Sequence, residues 1–277
     1  MKGLPFLKME AVGNSFVLVF EEDLPPGTDL SKLAIALCAH HTGVGSDGLL
    51  ILGESHIADA RMRMFNPDGT EDFCGNGLLL SSSLVLERIG RQSANIEAQG
   101  GAIVPVEMRG GLFVELGEPR FDAASVPFDA PVGELRDYPL AIDGHEVTIA
   151  SMRAGSTHTI IRCDQLPEDE LFFKLSPLIE NHAIFPERTS VIWAQNLGEN
   201  RLRIRIWERG AGETLGCGTG ACAATVESIR RGESVSPVIV ESKGGESTVE
   251  WRPGQKMRLS AAMSEVFQGV VESIALF

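Results

Sequence analysis

Gly13-Asn14-Ser15-Phe16-Val17-Leu18-Val19 returns 142 residues later as Gly155-Ser156-Thr157-His158-Thr159-Ile160-Ile161. Arg61-Met62-Arg63-Met64-Phe65 returns as Arg203-Ile204-Arg205-Ile206-Trp207, and Cys74-Gly75-Asn76-Gly77 as Cys217-Gly218-Thr219-Gly220. Three matches in the same order leave little freedom: the chain is two homologous halves, and the fold of one must be close to the fold of the other. The expected division is an N-terminal half-domain over 1–118 and a C-terminal half-domain over 119–264. Residues 119–149, with Pro119, Pro127, Pro131 and Pro139, read as the crossover. The strand-like stretch Glu265–Leu276 is surplus to the second repeat. By counting alone, 265–277 is expected to complete the first half's sheet.

Within the first half, Ser15–Phe20 and Gly48–Leu52 read as strands, and Arg61–Phe65 alternates as a half-buried strand does. Asp29–His41 reads as a helix capped by Asp29 or Ser31. Gly75–Ile89 reads as an apolar helix with no evident cap. Gln92–Leu116 breaks into short strands at Gly100-Gly101 and Gly110-Gly111.

Charge narrows the function. The chain carries 24 Lys+Arg against 38 Asp+Glu, a net charge of −14. Such a surface repels phosphate backbones, so a nucleic-acid partner is not expected. No apolar run approaches the roughly 20 residues a membrane span needs, and Met1–Phe20 has no signal-peptide pattern. A cytoplasmic protein without a membrane partner is expected. The five cysteines form an odd set, which argues against a disulfide framework and for free thiols. Cys38, Cys163 and Cys222 read as structural.

Cys74 and Cys217 differ from the other three by their flanks. A C-G-x-G signal between a strand and a helix combines a tight turn with the unpaired amides and positive dipole end of a helix N-terminus. An anion, such as a carboxylate, fits there. The same field is expected to favour the thiolate of the cysteine. With one such site per half, a thiolate on one face of a carbon could remove a proton while a thiol on the other face returns one, which inverts a stereocentre. This chemistry calls for no cofactor. Cys217-x4-Cys222 has poor zinc spacing and no metal site is expected. GxGxxG, GxxxxGK[ST] and GxSxG signals are absent, and Ser81-Ser82-Ser83 read as packed or back-bonded hydroxyls.

At these residues the sequence resembles the diaminopimelate epimerase family, amino-acid racemases that work with two cysteines and no cofactor. The carriers are Gly13-Asn14, Gly43–Leu49, Phe65–Glu71 and Cys74–Gly77 in the first half, with Phe185–Thr189 and Trp207–Ala224 in the second. The resemblance implies an α+β fold of two pseudo-symmetric half-domains, each a curled, mostly antiparallel sheet around a central helix, with the active site in the cleft between them. It also implies a homodimer and a small amino-acid substrate, LL- and meso-2,6-diaminopimelate.

Carried over by position, Cys74 and Cys217 resemble the acid/base pair, assisted by His158 and Glu208. Gly75, Asn76, Gly218 and Thr219 would offer backbone amides to the carboxylate beside the reacting carbon, with Asn14 near that end. Asn66, Glu208 and Arg209 match residues that hold the distal ammonium and carboxylate. Where the family has asparagines at the distal carboxylate, this chain has Ser156 and Ser190. It also has Thr157 in place of a proline, Ser15 in place of an aspartate, and Leu78-Leu79-Leu80 in place of an arginine-containing stretch. Serines are shorter and leave room. A racemase of another amino acid, such as histidine or another basic one, is therefore the alternative reading.

Overall fold

A computed structural model describes residues 3–272, and the chain divides into two compact units. One runs to Glu115 and takes in the chain from Ser260 onward; the other is Leu116–Leu259. The first unit begins with β1 (Leu4–Ala11), β2 (Asn14–Phe20), α1 (Leu30–Cys38), β3 (Gly48–Gly53), β4 (Ala60–Phe65) and β5 (Glu71–Asp72). It continues with α2 (Gly75–Ile89), β6 (Ser93–Ala98), β7 (Ala102–Met108) and β8 (Leu112–Glu115). The second unit contains β9 (Tyr138–Ile142), β10 (His145–Ala154), β11 (Ser156–Cys163), α3 (Asp169–Glu180), β12 (Ser190–Gly198) and β13 (Arg201–Glu208). Then come β14 (Gly212–Thr214), α4 (Gly218–Arg230), β15 (Val238–Ser242) and β16 (Gly245–Glu250). The chain then runs through β17 (Arg258–Ala261) to β18 (Met263–Val271), which pairs antiparallel with β1. Residues 273–277, the end of the stretch read as surplus, lie outside the described residues. The crossover carries more structure than expected, since β9 and the start of β10 fall within 119–149.

Both units use the same pairings. In the first, β1–β2 and β3–β4 are antiparallel, whereas β2–β3 and β4–β6 are parallel, each parallel step spanned by a helix. In the second, β10–β11 and β12–β13 are antiparallel, and β11–β12 and β13–β15 are parallel. The repeat holds at single-residue register. Phe16 pairs with Gly48 and Leu49 with Phe65 in one unit, His158 with Ser190 and Val191 with Trp207 in the other. Every one of these partners is displaced by 142.

Local chemistry explains the elements. Val12 and Gly13 both take positive φ (47° and 75°), the two-residue turn that matches strand twist, and so join β1 to β2. Asp29 caps α1 by accepting from the Lys32 amide at 3.1 Å. Leu33, Ala34 and Leu37 then seat α1 on Val17, Val19 and Leu49. In the other unit Phe172, Leu175 and Ile179 do the same for α3 against Val191 and Trp193.

The central helices are a different kind. Leu78, Leu79 and Leu80 are consecutive and fully buried, so α2 is enclosed on all sides instead of lying on a surface. It touches β1 to β4, β6 and β8, and α4 touches β10 to β13, β15 and β16. Each buried leucine contributes about 2 kcal/mol. In α4 the enclosed residues are small, Ala221, Cys222, Ala223 and Ala224. Ser83 Oγ back-bonds to the Leu80 carbonyl at 2.7 Å, while the buried hydroxyls of Ser81 and Ser82 have no partner. Gly90, with φ 64°, ends α2 in the left-handed conformation that glycine favours.

Candidate active site

The helix that reads as uncapped has a cap of an unusual kind. Cys74 is the N-cap of α2, and its Sγ accepts from the Gly77 amide at 3.3 Å. Gly77 also lets the first turn pack closely on Leu50. A Cβ there would lie 2.8 Å from Leu50 Cδ2 and 3.6 Å from the thiol. Cys217 is the N-cap of α4, with the same extended backbone, and its thiol bonds the Gly220 amide and lies 3.4 Å from Thr219 Oγ1. A Cβ on Gly220 would lie 2.8 Å from Ile192 Cδ1 and 3.5 Å from Cys217 Sγ. Each thiol thus sits on the first turn of a buried helix, where the leading amides, including those of Gly75, Asn76, Gly218 and Thr219, have no intrahelical acceptor. That is an anion site beside a sulfur, once per unit.

In the first unit Asn76 is buried and its Nδ2 donates to Asn14 Oδ1 at 3.4 Å, while its own Oδ1 has no partner. Asn14 is fixed through its neighbour. Asp47 Oδ2 accepts from the Ser15 amide at 2.7 Å, and Lys8 Nζ donates to Ser15 Oγ at 3.2 Å and to the Gly45 carbonyl. Lys8 is nearly buried, and that burial lowers its pKa against the pull of Asp47. Asn66 follows β4 in a turn of its own, its Nδ2 on Thr70 Oγ1 at 3.0 Å.

The second unit holds the charged groups. Glu208 ends β13, and the β13–β14 hairpin carries it back toward the start of α4. Thr214 Oγ1 donates to Glu208 Oε1 at 2.6 Å, and the carboxylate also bonds the Cys217 thiol. This reverses the expectation from the helix dipole. Burial, and then the negative charge of Glu208, push the Cys217 thiol well above its usual pKa, and the bonds from Thr219 and Gly220 only partly offset them. Cys217 therefore rests as a neutral thiol beside a proton acceptor. His158 is fully buried in β11. Its Nε2 meets Ser156 Oγ at 3.1 Å and its Nδ1 has no partner. Burial first, and the charge of Arg209 second, lower its pKa to about 3, so the imidazole is neutral.

Ser190 Oγ accepts from the Arg209 amide at 3.1 Å, and Arg209 Nη1 reaches the Glu187 carbonyl at 3.1 Å. The group that shapes this turn was not singled out from the sequence. Glu180, buried at the end of α3, accepts from Trp207 Nε1 (2.7 Å), the Gly210 amide (2.9 Å) and Arg188 Nη1 (3.1 Å). Those bonds bracket Glu208 and Arg209. The available signal was a carboxylate directly after the apolar Leu178-Ile179 pair, eight residues before Arg188. Cys222 is fully buried, its thiol pushed up to about 12 by burial, and Cys38 is buried against Ser46 Oγ at 3.2 Å. Cys163 is half-buried and packs against the core of the second unit. Among the described residues no cluster of His, Cys, Asp or Glu is arranged to hold a metal ion, and no helix is long and apolar enough to cross a membrane.

Known proteins resemble this chain over nearly its full length. The family model for diaminopimelate epimerase matches residues 6–121 and again 150–266, one match per repeat. The diaminopimelate epimerase of Caldanaerobacter subterraneus subsp. tengcongensis is 37% identical over 280 residues, covering 96% of this chain and 99% of that protein. That of Pelotomaculum thermopropionicum is 38% identical over 275 residues, covering 95% and 97%. In fold, the chain is similar to a probable proline racemase from Agrobacterium radiobacter K84, with a TM-score of 0.71 at 13% identity over 99% of this chain and 93% of that one. The capping thiols, the duplicated α+β architecture and these full-length matches agree: the chain belongs to the diaminopimelate epimerase family.

Proposed function

We propose that the chain interconverts LL- and meso-2,6-diaminopimelate, with Cys74 and Cys217 as the two acid/base groups and no cofactor. The observation that carries the reading is the contact between the Cys217 thiol and the Glu208 carboxylate at the start of α4, matched by a second thiol cap on α2. A thiolate removes the α-proton and becomes a thiol, while the opposite thiol gives its proton to the other face and becomes a thiolate. Glu208 takes the Cys217 proton when that sulfur must act as the base. The α-proton is far less acidic than a thiol, so the developing negative charge needs stabilisation. First-turn amides of Gly75, Asn76, Gly218 and Thr219 would supply it by holding the α-carboxylate, with Asn14 alongside.

At the distal end, Arg209 would clamp the second carboxylate and Glu208 pair with the ammonium, with Asn66, Ser156 and Ser190 as the remaining contacts. His158, neutral and with a free Nδ1, would assist proton movement. The reading further includes half-domains over 1–118 and 119–264 with 265–277 returning to the first. It also includes a cytoplasmic location, which suits five free cysteines, and a homodimer. Val266, Phe267 and Val270 of β18 are about half exposed and give a second copy an apolar surface.

Proton NMR in D2O, following loss of the α-hydrogen signal from LL-diaminopimelate and from a panel of other amino acids including histidine, tests the chemistry. Cys74→Ala and Cys217→Ala should each lower exchange by at least about 10³-fold. Near-normal turnover in either variant removes the two-thiol mechanism. Exchange with a different amino acid alone would keep the mechanism and reassign the substrate.

A further inference from the structure

The far end of α4 from Cys217 borders a cavity of about 460 Å³, lined in part by Ile149, Ile160, Ala194 and Leu202 and by the charged Glu227 and Arg231. The repeat supplies a comparison. A cavity also lies at the same end of α2 in the first unit, and its wall holds Leu52, Leu84 and Arg88 where the second has Ala194, Glu227 and Arg231. The fold therefore does not require a carboxylate on the helix at this level, since Leu84 serves in the other half. Glu227 is nonetheless 1% exposed. Its Oε1 accepts from Arg231 Nε at 2.6 Å, and its Oε2 has no hydrogen-bond partner. Arg231 is shared, its Nη2 being on Asp137. The other guanidiniums nearby are engaged elsewhere, Arg230 on Glu134, Arg136 on the Arg230 carbonyl and Arg162 on Glu233. A buried carboxylate oxygen without a donor calls for one, and beside it the wall is aliphatic at Ile149, Ile160 and Leu202 and polar at Arg162, Asp164 and Glu233.

We propose that this cavity binds a small aliphatic ammonium, received by Glu227 Oε2 with its stem against Ile149, Ile160 and Leu202. Glu227 lies ten residues beyond Cys217 on the same helix, roughly 15 Å along its axis, so the occupant and the thiol are separate. Calorimetry and ligand-observed NMR with n-pentylamine, pentan-1-ol and pentanoate, each at about 20 mM, test the proposal. The amine should bind, and the alcohol and acid should not. Glu227→Gln should weaken the amine at least about tenfold. Ala194→Leu, which installs the side chain found in the other half and leaves the charges alone, should abolish binding even if the first variant folds poorly. Arg209→Ala, at the candidate active site, should leave amine binding unchanged. Equal binding of the alcohol, no binding of the amine, loss in Arg209→Ala, or unchanged affinity in both cavity variants would each overturn it.

Discussion

Glu208→Gln separates two effects that normally travel together, the ease of ionising a thiol and the rate it supports. Thr214 Oγ1 donates to Glu208 Oε1, so the glutamine oxygen takes that place and its amide nitrogen turns toward Cys217. The variant loses the negative charge that raises the Cys217 pKa and gains an N–H that donates to the sulfur. Cys217 should therefore ionise more readily and react faster with iodoacetamide at neutral pH. The amide cannot accept the thiol's proton. General-base assistance is worth typically 10² to 10⁴ in rate, or about 3 to 5 kcal/mol of barrier. Turnover in the D2O exchange assay should fall by at least about 10²-fold, although the nucleophile has become easier to form. Alkylation of Cys217 is resolved from Cys74 by mass spectrometry of the digested protein. Turnover within about threefold of the parent, or slower alkylation of Cys217, would refute the assignment of Glu208 as the proton acceptor.

Two further outcomes follow from the geometry. Gly77→Ala and Gly220→Ala should each be close to neutral or mildly destabilising. A helix gains about 1 kcal/mol from alanine, against about 1–3 kcal/mol for the Cβ contacts at 2.8 Å with Leu50 and Ile192. Because relief of those clashes shifts the first turn that carries the capping sulfur, activity should drop about 10²-fold while the melting temperature moves only a few degrees; a large thermal loss with intact activity would show that the glycines serve packing alone. His158 has a folded pKa near 3 against 6.5 unfolded, so the unfolded chain binds the extra proton between those values. Its contribution is present above about pH 6.5 and is lost on acidification, at about 1.4 kcal/mol per pH unit down to about pH 3. Urea melts across that range should show a shallower acid limb in His158→Gln than in the parent; superimposable limbs would contradict the buried neutral imidazole.

Much of this was legible in the chain because a duplication is read against itself. The echoes at Gly13 and Gly155, Arg61 and Arg203, Cys74 and Cys217 located β2 and β11, β4 and β13, and α2 and α4 before any packing was known. Other features depend on chain returning from a distance. Whether burial or the dipole governs Cys217 depends on how the β13–β14 hairpin turns Glu208 back, which the C-G-x-G signal does not encode. Glu180 is 27 residues from Trp207 and 30 from Gly210, and only the docking of α3 on β12 brings them together. Lys8 reaches Gly45 across 37 residues. Single-residue periodicity shows which side of an element is buried, but not which distant polar partner waits there.

The common register has a stereochemical consequence. Glu208 directly follows Trp207, and at the displacement of 142 its counterpart after Phe65 is Asn66. His158 has Phe16 as its counterpart. An amide and a phenyl ring cannot carry a proton, so the scaffold is duplicated but the proposed relay is not. Under the proposed roles, a hydrogen handled by Cys217 would call on a carboxylate and an imidazole of the same unit, whereas one handled by Cys74 would not. The two proton transfers of one inversion would therefore be chemically unequal, one sulfur being assisted and the other relying on its helix terminus alone.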